Sequence, residues 1–209
     1  MVLIGASGKI GRRVLNEALN RGFGVTAMMR NPGMLSLKHP ALKTVQGNIM
    51  RKEDIGKTAV GHDIVVSAYG PGQNDPSDML EATRSLLEGV KMERVKRLIV
   101  VGGAGSLEVA PGVMLLDTPE FPATWKAISL AHKDALCLYL HERDLEWSYA
   151  HPAASLEPGM RTGHYRLGTD KLLADHKGES RISMEDFAVA LIDEAENHRH
   201  IRKRFTVAY

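Results

Sequence analysis

Seven residues near the start of the chain, Gly5-Ala6-Ser7-Gly8-Lys9-Ile10-Gly11, carry the strongest chemical signal in the sequence. Their spacing is G-x-x-G-x-x-G. They follow an apolar run, Val2-Leu3-Ile4, and precede a segment in which Ile10, Val14, Leu15, Ala18 and Leu19 recur at helical spacing. A glycine triplet alone says little; between a strand and an amphipathic helix it reads as a dinucleotide-binding turn. Glycines let the main chain approach a pyrophosphate. The free N–H groups and positive dipole end of the following helix then hold the anion. A P-loop of the G-x-x-x-x-G-K-[S/T] kind is excluded, because Ile10 follows Gly8-Lys9 and the first spacing is too short.

The second apolar run separates two nicotinamide cofactors. An NAD site places Asp or Glu about 20 residues beyond the motif, on the ribose hydroxyl. Here Thr26-Ala27-Met28-Met29 ends in Arg30 and carries no acid. A guanidinium at that point suits a 2′-phosphate, so NADP(H) is expected in preference to NAD(H). In such sheets ligands lie beyond the carboxyl ends of the strands. That nominates Asn48, then Ala68-Tyr69-Gly70, then Gly102-Gly103 with Ser106, and then the rim around His151 and Pro152.

The elements that must position these groups alternate between two periods. Strand-like runs lie at 2–4, 24–29, 43–46, 63–68, 97–101 and 145–150, the last stopped at Pro152, with a closing strand at 205–208. Helical spacing is read over 9–21, 52–59, a segment capped by Ser77, 123–142 and a last helix capped by Ser183. Residues 102–122 look irregular and 153–182 loop-rich, with a short strand near Tyr165. Alternating strands and helices predict an α/β, Rossmann-type parallel sheet with helices on both faces and a small C-terminal cap region. Residues 1–209 form one domain, with 153–182 as a substrate-side cap.

Composition narrows the class. The 209 residues are 44% hydrophobic and 25% charged, and 27 basic residues against 25 acidic ones leave a net charge of +2. Nothing in that balance points to nucleic acid. No apolar run approaches a membrane span. A single cysteine, Cys137, excludes an internal disulfide and suits a reducing compartment. The nine histidines show no zinc spacing, so no metal is expected. The reading is a cytoplasmic monomer or homodimer.

The glycine motif resembles the fingerprint of short-chain dehydrogenase/reductase relatives. Combined with Arg30-Asn31-Pro32, Gly102-Gly103-Ala104-Gly105-Ser106 and the stretch from Leu156-Glu157-Pro158-Gly159 to Gly168, the chain resembles the atypical branch. That branch has NmrA-like and biliverdin-reductase-B-like folds, and the likeness is closest to bacterial NADH-flavin-reductase-like proteins. The resemblance implies hydride transfer to a flavin, quinone or similar conjugated acceptor, with FMN or FAD as substrate. The alternative it implies is a non-catalytic, NmrA-like NADP-binding redox sensor. A sugar-nucleotide epimerase relationship is disfavoured by the missing tyrosine. None of Tyr69, Tyr139, Tyr149, Tyr165 or Tyr209 has lysine four residues on, so the Tyr-x-x-x-Lys pair of the wider family is absent. Ser129 stands four residues before Lys133 instead. Lys133 and Ser106 are the catalytic candidates, and Trp125, Tyr69 and Phe121 are candidates for stacking on an acceptor ring.

Overall fold

The computed structural model describes residues 1–70 and 76–209. Its elements in chain order are β1 (Val2–Ile4), α1 (Lys9–Asn20), β2 (Val25–Met29), β3 (Leu42–Gln46), α2 (Lys52–Ala59), β4 (Ile64–Ser67), α3 (Asp78–Met92) and β5 (Arg97–Val101). A short hairpin follows, β6 (Glu108–Ala110) and β7 (Val113–Met114). Then come α4 (Ala123–His141), β8 (Glu146–Pro152), β9 (Ser155–Glu157), β10 (Arg166–Gly168), β11 (Arg181–Ser183), α5 (Met184–Asn197) and β12 (Lys203–Ala208).

Eight strands form the main sheet in the order β10-β12-β8-β5-β4-β1-β2-β3. All neighbours run parallel except β10, which pairs antiparallel to β12. The order turns back at β1, which lies between β2 and β4. This is the doubly wound, Rossmann-like α/β architecture. The strands near the centre are buried on both faces, as helices on both sides require.

The period of two along each strand sorts the core. Leu3, Ala27, Val66, Ile99 and Phe205 pack with Val14, Leu15 and Ala18 of α1 and Phe187, Leu191 and Ile192 of α5. Val2, Ile4, Met28, Val65, Leu98 and Trp147 face the other way, onto Ile55 of α2, Leu86 and Val90 of α3 and Tyr139 of α4. Each hemisphere thus has its own apolar layer.

Local signals explain most element ends. Gly22 (φ +81°) closes α1, with its N–H on the Leu19 carbonyl and that of Phe23 on Ala18. The Ser183 hydroxyl accepts from Asp186 N–H at 2.9 Å and starts α5. Three expectations need correction. β8 continues through Pro152 rather than ending at Ala150, because β12 pairs with it as far as the proline, whose missing N–H is tolerated at the strand's end. Ser77 has helical dihedrals and its side chain makes no capping hydrogen bond. Residues 102–122 are not wholly irregular, since they hold the β6–β7 hairpin and two short 3-10 turns. By sequence, 70–76 is a polar loop, and 71–75 of it lie outside the described residues. No helix among the described residues is long and apolar enough to cross a membrane.

Candidate dinucleotide-binding crevice

Two glycines of the turn after β1, Gly5 and Gly11, leave no room for a side chain. Gly5 has φ +83°, and a Cβ there would lie 2.6 Å from the Ala68 carbonyl oxygen. A Cβ on Gly11 would lie 2.0 Å from the Gly5 carbonyl oxygen. Gly8 N–H donates to Gly5 O at 3.0 Å and closes the turn. Gly5 and Gly11 therefore press α1, the turn and the end of β4 together. Ala6 is buried, Ser7 and Ile10 are half-buried, and Gly8 and Lys9 are exposed. Gly8 caps α1 without a side-chain hydrogen bond, and the first turn of α1 holds no acid. The helix start is thus an open set of N–H donors free of competing negative charge, which suits a pyrophosphate. The residues fit a dinucleotide on this geometry.

The other candidates fall around that turn as the sheet order dictates. Arg30 stands exposed just beyond β2, where its backbone carbonyl accepts from the Gln46 side chain at 3.4 Å. Asn48 shapes the loop after β3. Its side chain accepts from Met50 N–H at 3.1 Å, and its own N–H donates to Asp54 at 3.0 Å. Ala68 and Tyr69 are half-buried and Gly70 exposed beyond β4, with Ala68 N–H on the Ile4 carbonyl at 2.9 Å. Pro152 is buried at the end of β8.

Beyond β5 the main chain is pinched between α4 and β8. Gly102 N–H donates to Ala150 O at 2.8 Å, and a Cβ on Gly102 would collide with the Tyr149 ring at 2.0 Å. Gly105 meets Ser129, whose Cβ is 2.7 Å from where a Gly105 Cβ would stand. Ser106 is buried, and its carbonyl accepts from Arg204 at 3.4 Å. Lys133 is half-buried one residue after His132, in the stretch of α4 that meets this turn, and carries no ion pair among the described residues. Phe121 is half-buried and Trp125 is 46% exposed near the start of α4.

Two histidines flank this turn: His151, nominated with the rim, and His132, which the sequence did not single out. His151 Nδ1 lies 2.6 Å from the Gly103 carbonyl oxygen. His132 approaches Gly103 from α4, its ring 3.4 Å from where a Gly103 Cβ would stand, and its Nδ1 is 3.3 Å from Tyr149 Oη. Burial holds both imidazoles well below the usual histidine range, at about 4, so both are neutral at pH 7. A carbonyl only accepts, so the neutral His151 ring must carry its proton on Nδ1. Its Nε2 is then a bare acceptor, buried and without a partner among the described residues. Leaving such an acceptor unpaired costs about 1–3 kcal/mol. The Tyr149 hydroxyl donates to the His132 carbonyl at 3.1 Å, and burial raises its pKa well above the ordinary tyrosine value.

The segment 153–182 is tied down by acids on α1 and α5. Buried Glu17 receives both Arg161 (2.7 Å twice) and Arg21 (2.7 Å). Glu185 accepts from Gly159 N–H at 2.7 Å and from Arg13 at 2.6 Å. Asp186, fully buried, accepts from the Thr162 and Gly163 N–H groups at 2.8 Å, the Thr162 hydroxyl at 2.5 Å and the Tyr209 hydroxyl at 2.7 Å. Those hydrogen bonds hold its pKa below the usual carboxylate range against its burial. The run from Gly159 to Gly163 is therefore a clasp that spans α1 and α5.

A doubly wound sheet with a glycine turn at its point of reversal and an uncapped helix start defines a dinucleotide-binding domain of the atypical short-chain dehydrogenase/reductase kind. Family comparison agrees: residues 5–195 match the NAD(P)H-binding family, and the chain belongs to it. Three solved structures are similar over almost their whole length. A Burkholderia pseudomallei protein named "putative exported protein" is 43% identical, with a TM-score of 0.91 covering 100% of this chain and 98% of that one. A Bacteroides thetaiotaomicron "putative epimerase" is 40% identical, with a TM-score of 0.93 and coverage of 100% and 95%. A Streptococcus pneumoniae "putative NADH-flavin reductase" is 31% identical, with a TM-score of 0.85 and coverage of 99% and 97%.

Proposed function

We propose that this protein is an NADPH-dependent reductase that passes hydride to a flavin, quinone or similar conjugated acceptor. One observation carries the reading: among the described residues no tyrosine hydroxyl is paired with Lys133 in the way the wider family's proton donor requires. The position of the family's tyrosine is Ser129, which packs against Gly105, and the two nearby imidazoles are neutral, His151 buried and His132 half-buried. Ketone reduction develops an alkoxide that needs a placed acid. A flavin or quinone ring spreads the incoming charge and takes its proton from water, so binding and orientation suffice. The same lack argues against extending the epimerase name of the Bacteroides relative to this chain, and the Streptococcus name agrees with a reductase.

NADPH, when bound, would supply the hydride. Gly5, Ala6, Ser7, Gly8, Lys9, Ile10 and Gly11 would hold its pyrophosphate, and Arg30 its 2′-phosphate. Ala68, Tyr69, Gly70, Gly102 and Gly103 would line the crevice with Asn48 and Pro152 at its ends. Lys133, a cation with no ion pair among the described residues, would face the charge that develops on the acceptor, and Ser106 would orient the ring. A cytoplasmic setting goes with this reading, since Cys137 is an exposed free thiol.

The test is a titration of the purified protein with NADPH and NADH, followed by addition of FMN and a 1,4-naphthoquinone while absorbance is read at the reduced-nicotinamide band. Tight NADPH binding with turnover establishes the reductase. Tight binding without turnover across the panel replaces it with an NADP-binding sensor, and no binding of either nucleotide removes both.

A further inference from the structure

We propose that His151 is a positioning residue of the acceptor site: its Nδ1–H, held on the Gly103 carbonyl, sets the turn after β5 that borders the crevice. The proposal rests on the reductase reading above and adds a residue to it. The turn from Gly102 to Ser106 leaves β5 two strands from β1, beyond the carboxyl ends where ligands lie in this architecture. Its shape depends on contacts from both sides. Tyr149 fills the space beside Gly102, His132 faces Gly103, and Ser129 meets Gly105.

Those contacts exclude side chains from the turn, yet steric fit alone does not orient a glycine peptide. Among the described residues, two side chains hold the turn's main chain by hydrogen bonds. Arg204 reaches Ser106 O at 3.4 Å, a long bond, and is itself paired with Asp170. His151 reaches Gly103 O at 2.6 Å. The His151 bond is the short one, and it acts on the residue with the greatest rotational freedom.

The other ring nitrogen argues that this bond is the reason for the histidine. His151 is 0% exposed, and its Nε2 has no partner among the described residues. A leucine or phenylalanine would fill such a site without burying an unpaired acceptor. What the apolar residue would lose is the donor at Nδ1. The charged and titratable groups acting on the ring are Arg204, His132 and Asp170. None of them bonds to either ring nitrogen in the structure, so the Gly103 carbonyl alone selects the tautomer.

Three variants separate the roles of the two nitrogens. His151→Leu removes both, His151→Asn keeps a donor near the position of Nδ1, and His151→Gln shifts its amide toward Nε2. Each is assayed for NADPH affinity, for KM and kcat with FMN and with a 1,4-naphthoquinone, and for amide hydrogen exchange in the peptide spanning 102–107. In His151→Leu the acceptor KM rises by about tenfold, a loss of one oriented hydrogen bond, while NADPH affinity changes by less than about threefold. Exchange in the 102–107 peptide speeds up. His151→Asn recovers most of both effects and His151→Gln does not.

An unchanged acceptor KM in His151→Leu overturns the proposal. Recovery by His151→Gln and not by His151→Asn also overturns it, since Nε2 would then be the working atom. If the leucine variant does not fold, the asparagine and glutamine variants decide by the same comparison. If the wild-type protein reduces neither acceptor, the reductase reading fails on its own. The clamp is then judged by exchange alone: faster exchange in His151→Leu that His151→Asn reverses sustains it, and unchanged exchange ends it.

Discussion

The carbonyl oxygen of Gly5 lies 2.0 Å from the place a Cβ of Gly11 would occupy. The first helical turn of α1 is therefore seated directly on the end of β1. Gly11→Ala must push the helix off the turn or distort Gly5, which already has φ +83°. The expected outcome is a loss of NADPH affinity of about tenfold or more, roughly the effect of misplacing a few oriented N–H donors. Fluorescence titration measures it, and a melting curve shows whether the fold survives. Retained affinity in a folded Gly11→Ala protein would place the pyrophosphate elsewhere.

Arg30 sits exposed at the end of β2 and makes no ion pair with an acid among the described residues. Arg30→Ala should weaken NADPH by about tenfold to a hundredfold and NADH by little, the worth of a charge-assisted bond to phosphate. Paired titrations with the two nucleotides check this. Equal weakening of both would remove the 2′-phosphate role.

Acid should destabilise the protein in two stages. His132 and His151 have pKa values lowered to about 4 in the folded state, against an ordinary value of 6.5. Between those limits the unfolded chain binds more protons than the folded one, so stability falls as pH falls from about 6.5 to 4. The loss is at most roughly 3 kcal/mol per histidine by pH 4. Below about 4.5 the second stage adds the carboxylates Glu17, Asp186 and Glu194, whose pKa values are lowered by their partners. Urea unfolding at pH 7.5, 5.5 and 4.5 tests the first stage. Replacing both histidines with Asn should flatten it, and an unchanged slope would show that neither is buried neutral.

A charge pair at the opposite end of the sheet from the crevice bears on stability alone. The Arg97 and Glu194 side chains are each 3% exposed and 2.5 Å apart, and Glu194 also receives His200 at 2.7 Å. Glu194→Ala strands the guanidinium and should cost about 3–5 kcal/mol. Replacing both Arg97 and Glu194 with Met should cost less than the single change, because no charge is left unpaired. Chemical denaturation of the three proteins compares them. A double variant less stable than Glu194→Ala would refute the coupling.

The clasp gives a milder prediction. Arg161 is half exposed, so Arg161→Ala should cost no more than about 1 kcal/mol of global stability. It should speed proteolysis within 157–163, because that segment loses a bidentate hold on Glu17. Limited proteolysis followed by mass spectrometry reads this directly.

The class of fold and the glycine turn after β1 are written in the local sequence. Strand and helix periods are local, and the glycine spacing is a property of consecutive residues, so Gly5, Gly8 and Gly11 are legible without any tertiary contact. Gly22 and Ser183 announce helix ends for the same reason. What the chain could not disclose is any relationship made across the sheet. Gly102 reads as a residue of the ligand rim, but Tyr149, far along the chain, is what forbids it a side chain. His151 reads as one rim residue among several until Gly103 is found on its Nδ1. Ser77 has the residue type of a cap without the cap's hydrogen bond, and Pro152 reads as a strand stop although β12 carries the pairing past Ala150. Side-chain type belongs to the sequence. Burial, tautomer and the direction of a peptide are set by what packs against them, and those partners meet only in the folded sheet.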